Sequence, residues 1–241
     1  MTEQATNLYD AHAHLISDDL EKYPRNPVKI SIEDIPAGTP FGPGVMGFPG
    51  GLHGPKPNNL KPTAEQLHVW MNEENVVGIA AVQKGLIYRT DNSYIVDAAN
   101  LFPNEMLAVI IIDPMEAGTL DKIRESSSRG AAGIRFFPID HKADKIAWLS
   151  SEESLAVWAL ADELGLIVDI EAPGNDHHLL IPLVERMADQ FPSIKIALDH
   201  VMLPPIKDEN FGLSDQFKGL AERDNVYVKW TSINMDIAHV N

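Results

Sequence analysis

Near the start of the chain, "YDAHAHLISDD" (residues 9–19) ends a short apolar run with two histidines one residue apart. Residues two apart on a β-strand share a face, so His12 and His14 point the same way. Two imidazoles so placed suit a shared divalent metal ion. The same pair also suits a substrate edge without metal, and such spacing arises by chance. Asp18 and Asp19 read as the start of the following loop.

Further polar residues close other apolar runs. Gln83 ends "GIAAVQ", Arg135 sits in "AAGIRFFP", and Asp169 and Glu171 share a face of "LIVDIEA". "IKIALDH" ends in Asp199 and His200, placed on opposite faces by strand alternation, and "VYVKWTS" carries Lys229 and Thr231. An ionised group buried in a strand costs several kcal/mol unless it is paired. These residues are therefore expected to meet in one polar centre. Arg135 has two readings: a strut paired with a carboxylate, or a fork holding an anionic substrate. Glu171 is that partner, a metal ligand or a proton acceptor. His200 alone is as much a structural histidine as a ligand; beside His12 and His14 a site role is favoured. His177 and His178 in "GNDHHLL" read as capping or surface residues, and His53, His68, His141 and His239 as surface or loop residues.

Residues of this kind need elements to position them. Apolar, β-branched runs place strands at 7–14, 76–83, 106–113, 132–138, 166–172, 194–200 and 226–232. Their near-continuous apolarity is that of parallel strands buried on both faces. Amphipathic segments at 63–75, 92–101, 117–128, 151–164, 179–191 and 214–223 read as helices between them. Thr63 is placed to cap the first, with Gln66 three residues on, and Gly165 to close the fourth. The alternation predicts an α/β fold, a TIM-type (β/α)₈ barrel, in which chemistry gathers at the C-terminal ends of the strands. No glycine-rich phosphate fingerprint follows the first strand, which argues against dinucleotide binding. One domain spans 1–241, with a Pro/Gly-rich insertion at 21–62 that is either a surface loop or a lid over the first strand's end.

Composition narrows the classes. With 44% hydrophobic and 22% charged residues over 241 positions, a sizeable core is expected. A formal net charge of −16 opposes a nucleic-acid partner. There is no cysteine, so disulfides, thiolate metal sites and thiol nucleophiles are excluded. "MTEQATNL" lacks signal-peptide character and no apolar run reaches the roughly 20 residues of a membrane helix. The expectation is a soluble cytoplasmic protein, with homo-oligomerisation left open.

The segments "DAHAHL", "VQKGLIYRTDNSYIVDAANLFP", "GIRFFP", "ALADELGLIVDIEA", "IKIALDH" and "VYVKWTS", in this order, resemble the amidohydrolase-related (type 2) branch of the amidohydrolase superfamily. Within it the likeness is to metal-dependent hydrolases and lactonases of the 2-pyrone-4,6-dicarboxylate lactonase type. The resemblance implies a distorted (β/α)₈ barrel that hydrolyses a lactone, or a related ester or amide, with an activated water. It implies a divalent metal, zinc by ligand type, at His12, His14, Glu171 and His200, with His200 and Glu171 catalytic. It implies a carboxylate-bearing substrate met by Arg135, with Gln83, Tyr88, Asn92 and Ser93 shaping its pocket. Relatives on this fold also perform non-oxidative decarboxylation, and a non-catalytic binding barrel is a third reading. Glu171 stands where relatives often place histidine or lysine, and some lactonase relatives work without metal. No residue matches the aspartate that ends the family's eighth strand, Asp236 included. The expectation is a barrel cut after its seventh strand, part of a longer protein and inactive or impaired as written.

Overall fold

The computed structural model describes residues 7–26, 62–138, 146–171, 177–204, 209–231 and 234. Seven strands form one sheet in sequence order, every neighbouring pair parallel. They are β1 (Leu8–Ala13), β2 (Val76–Val82), β3 (Met106–Ile112), β4 (Ala131–Phe136), β5 (Ile167–Ile170), β6 (Ile196–Leu198) and β7 (Val226–Val228). Helices connect them: α1 (Ala64–Glu73), α2 (Gly85–Tyr88), α3 (Ser93–Leu101), α4 (Thr119–Ser128), α5 (Ala147–Ser150), α6 (Glu152–Leu164), α7 (His177–Gln190) and α8 (Asp215–Gly219). This is the repeating βα order of a TIM-type barrel.

Local chemistry explains where several helices begin and end. Thr63 Oγ1 accepts from Gln66 N while Gln66 Oε1 accepts from Thr63 N, so the capping box satisfies two donors at the start of α1. Ser151 caps α6 through Ser154 N, and Gly165 ends it at φ 67°, where a side chain would be strained. Gly118, at φ 81°, turns the chain into α4, two residues later than the spacing predicts. The helix expected over 214–223 breaks after Gly219 into a 3₁₀ turn, Leu220–Glu222.

The core lies between the sheet and the helices. Phe136 of β4 stacks on Trp158 of α6 at 5.2 Å, and Trp158 stacks in turn on Phe191 after α7 at 5.9 Å. Trp158 Nε1 donates to Leu149 O at 3.3 Å, so the buried indole keeps a partner. In β4, Gly133 admits the β5 backbone closely: a Cβ there would stand 3.0 Å from Ile167 O.

Among the described residues β1 pairs only with β2, and β7 only with β6. Both outer strands carry exposed apolar side chains, Leu8 and Tyr9 on β1, Tyr227 and Val228 on β7. The insertion expected at 21–62 lies outside the described residues apart from its two ends, as do His53, His141, Asp236 and His239. No helix among the described residues is long and apolar enough to cross a membrane.

Candidate active site

The C-terminal strand ends bring together His12 (β1) and His14 just past it, Arg135 (β4), Asp169 (β5) and Glu171 just past it, Asp199 and His200 (after β6), and Lys229 and Thr231 (after β7). Asp199 is the hub of this cluster and has no solvent exposure. Its Oδ2 accepts from Arg135 Nε at 2.6 Å; its Oδ1 lies 3.2 Å from Lys229 Nζ and 3.2 Å from His12 Nδ1. The approach to His12 is off-axis, leaving both atoms short of a formed hydrogen bond, so we treat it as an electrostatic contact. Arg135 Nη2 pairs with Glu171 Oε2 at 2.6 Å, and Lys229 Nζ with Asp169 Oδ2. Three carboxylates thus share two cations, a polar centre within an apolar barrel.

Asp199 and His200 are not on opposite faces, as strand alternation predicts. β6 stops at Leu198, and Asp199–Met202 is a kinked, left-handed turn rather than a regular helix. His200, Val201, Met202 and Leu203 all hold positive φ, from 50° to 58°. That run returns the His200 ring to the side of Asp199, its centroid 4.8 Å from the His12 ring. The His14 ring stands 4.7 Å from that of His12.

The second nitrogen of each ring shows which nitrogen faces the centre. His14 Nδ1 lies 2.8 Å from Val82 O; a carbonyl only accepts, so the proton is on Nδ1. The Asp199 carboxylate favours the proton on His12 Nδ1. His200 Nδ1 meets Thr231 Oγ1 at 2.6 Å. The Nε2 atoms of His12 and His14 then face each other at 3.3 Å as lone-pair donors. Two ligand atoms about 2.0–2.1 Å from a tetrahedral zinc stand about 3.3–3.4 Å apart, so this pair fits a shared metal ion. Rings whose other nitrogen is held by a carboxylate, carbonyl or hydroxyl are what such a site needs.

Burial sets the charge state of the rings. It lowers His12, with Asp199 opposing, and holds His14 well below the usual histidine range, aided by Lys84 and His12. It takes His200 down to about 3, again aided by the His12 charge. Neutral imidazoles are the metal-binding form. Burial and the Asp199 charge push Asp169 up to about 7, and burial raises Glu171 against the pull of Arg135. Burial disfavours the Asp199 charge too, yet Arg135 and His12 hold it well below the usual carboxylate range.

A pH dependence follows for the metal-free protein. His200 takes its proton near 6.5 when unfolded and near 3 when folded. Its contribution to stability is therefore intact above pH 6.5 and is lost as the pH falls from 6.5 towards 3. Asp169, raised in the fold, works in the opposite sense between about 7 and 3.8. The difference between the wild type and His200→Asn isolates the histidine: urea denaturation from pH 7 to 4 is expected to show a shallower acid loss in the variant.

The residues expected to shape a pocket have local partners. Asn92 clamps β3 through Ile111, Nδ2 donating to its carbonyl at 2.7 Å and Oδ1 accepting from its N–H at 2.8 Å. Fully buried Gln83 donates to Asp91 O. Tyr88 OH accepts from Ser17 N at 2.9 Å, and Ser93 Oγ donates to Asp91 Oδ1 at 2.6 Å. These four bind the β2–α3 connection to its surroundings. His178 is exposed at the start of α7. His68 is no lone surface residue: it pairs with Glu105 at 3.1 Å and stacks on Phe102 at 3.9 Å. Two residues were not singled out by their sequence positions. Lys84 acts electrostatically on His14, Glu171 and His200, and Asn234 is buried against the His200 turn.

Comparison with known proteins adds to this picture. No curated protein matches the chain. A probable 2-pyrone-4,6-dicarboxylic acid hydrolase from Acinetobacter baumannii, solved with citric acid bound, superposes with a TM-score of 0.63 at 16% identity, covering 97% of this chain and 76% of that one. An amidohydrolase from Burkholderia multivorans with bound zinc gives 0.59 at 16% identity, covering 92% and 69%. A 2,6-dihydroxybenzoate decarboxylase complexed with 2,6-dihydroxybenzoate gives 0.50 at 11% identity, covering 74% of each chain. At such identities these likenesses concern the fold. The family model described as Amidohydrolase matches residues 9–236, nearly the whole sequence, and the chain belongs to that family.

Proposed function

We propose that the protein is a metal-dependent hydrolase that opens a carboxylate-bearing lactone, or a related ester or amide, as a single-domain enzyme. The observation that carries this reading is the set of neutral imidazoles of His12, His14 and His200 gathered at the strand ends beside Glu171. Among the described residues no group of three or more such side chains is already arranged to hold a metal ion; drawn together around the His12–His14 pair, these four would hold a divalent ion, and zinc suits imidazole and carboxylate ligands. When bound, it supplies Lewis-acid polarisation of a carbonyl and lowers the pKa of a water.

The remaining roles belong to the chain itself. Glu171 Oε1, 3.9 Å from His200 Nε2, is the proton acceptor; its raised pKa brings its affinity for a proton nearer the working range. His200, its Nδ1 held by Thr231 Oγ1, would offer its Nε2 lone pair to the ion. Arg135, pinned by Asp199 and Glu171, acts as a fixed positive charge that orients an anionic substrate. Gln83, Tyr88, Asn92 and Ser93 shape the pocket by holding the β2–α3 connection in place. That one fold neighbour binds citric acid and another binds zinc supports a carboxylate ligand and a metal for this fold.

The test assays the product of the whole gene, loaded with zinc, on a panel of carboxylated lactones. Titrimetric proton release and carbon dioxide evolution are followed together. Proton release without carbon dioxide is the expected result. Carbon dioxide evolution would make the protein a decarboxylase instead, and neither product above the His14→Ala background would overturn the reading.

A further inference from the structure

Beyond the residues that face the centre, one buried side chain controls the geometry of His200. Asn234 has no solvent exposure, and both ends of its amide are used. Oδ1 accepts from Thr231 N at 3.0 Å and from Thr231 Oγ1 at 3.3 Å; Nδ2 donates to His200 O at 2.7 Å. The partners fix the amide's orientation, since an N–H needs the oxygen and a carbonyl needs the NH₂. The Thr231 hydroxyl proton is therefore directed to Asn234, and an Oγ1 lone pair is left for His200. At 2.6 Å that lone pair takes the proton on His200 Nδ1, which leaves Nε2 unprotonated.

The same amide holds the backbone. His200 and Val201 sit at φ 54° and 56°, a left-handed conformation that costs roughly 1–2 kcal/mol per L-residue and is unusual for a β-branched side chain. Val201 N donating to Lys229 O at 3.2 Å and Asn234 Nδ2 donating to His200 O hold this turn from the β7 side. Strain kept in place by specific bonds is a mark of functional sites.

We propose that Asn234, acting through Thr231, is a positioning residue that sets both the tautomer and the angle of His200, so that its Nε2 lone pair is presented to the metal. The metal role of His200 rests on the function proposed above. The tautomer does not, and it is measured in metal-free protein.

The test uses ¹⁵N-histidine-labelled chain and long-range ¹H–¹⁵N correlation at neutral pH, with His200 assigned by its loss in His200→Gln. The wild type is expected to carry the His200 proton on Nδ1. Thr231→Val removes the acceptor with little change of shape and is expected to move the proton to Nε2 in a substantial fraction. Thr231→Ser is expected to restore it. By chelator competition, zinc binding is expected to weaken by about 10–100-fold in Thr231→Val and to recover in Thr231→Ser, the range for lost partners of metal-bound histidines. A wild-type His200 protonated on Nε2 would overturn the proposal with no variant needed. So would a folded Thr231→Val, judged by circular dichroism, with the wild-type tautomer. If the tautomer responds as expected but no lactone is hydrolysed, the positioning role stands and the hydrolase reading falls.

Discussion

Asp199→Ala is expected to lower the melting temperature by roughly 6–20 °C. The carboxylate contacts Arg135 Nε, Lys229 Nζ and His12 Nδ1, and each of these side chains is largely buried. Removing one partner of a buried ion pair costs about 3–5 kcal/mol, because the charge left behind has neither water nor counter-ion. For a chain of this length each kcal/mol is worth about 2–4 °C. Lys229 keeps Asp169 and Arg135 keeps Glu171, which places the loss within that range. Asp199→Asn retains an oxygen for Arg135 and is expected to lose less, yet it presents an amide where His12 now meets a charge. Differential scanning calorimetry of the two variants checks the ordering; a shift below about 2 °C in Asp199→Ala would show that the hub is not structural.

His12→Ala and His14→Ala, alone or together, are expected to reduce turnover of the whole gene product by at least about 10³-fold, with little change in melting temperature. Metal assistance is worth several kcal/mol of barrier, and each 1.36 kcal/mol is tenfold in rate. The stability effect is small because both rings are neutral at pH 7, so no buried charge is left unpaired. The contrast with Asp199 is the informative feature: one carboxylate supports the fold, while the paired imidazoles support chemistry. Steady-state rates together with thermal melts separate the two, and double-mutant rates near those of the single variants would show that the rings act as one unit.

Much of this arrangement was legible in the sequence because it follows simple periodicities. The apolar runs located the strands, and the Thr63 box and Gly165 marked helix ends that the structure reproduces. His12 and His14 do meet, their Nε2 atoms 3.3 Å apart, although the β1–β2 register shifts between Asp10 and Ala13 and the strand ends before His14. The reasoning failed where regularity ends. Alternation put Asp199 and His200 on opposite faces, but the chain leaves the strand at Leu198 and turns left-handed, a conformation no residue type in "LDHVML" announces. Arg135 was open to pairing with a carboxylate; that it meets two, Glu171 and Asp199, follows only from the meeting of β4, β5 and β6. Asn92 was placed beside the pocket by the resemblance alone; the hold of its amide on the β3 backbone is a long-range bond invisible in sequence. Asn234 had a faint signal: an asparagine three residues after Thr231, a spacing suited to side-chain-to-backbone turns.

The central claim is that the imidazoles at the strand ends form a metal centre, and direct zinc titration of the purified, metal-stripped chain tests it most simply. Isothermal calorimetry at neutral pH is expected to show one zinc bound per chain, and to show that site lost in His12→Ala/His14→Ala. Zinc binding of equal stoichiometry and affinity in the double variant, or no zinc bound by the wild type, would contradict the account.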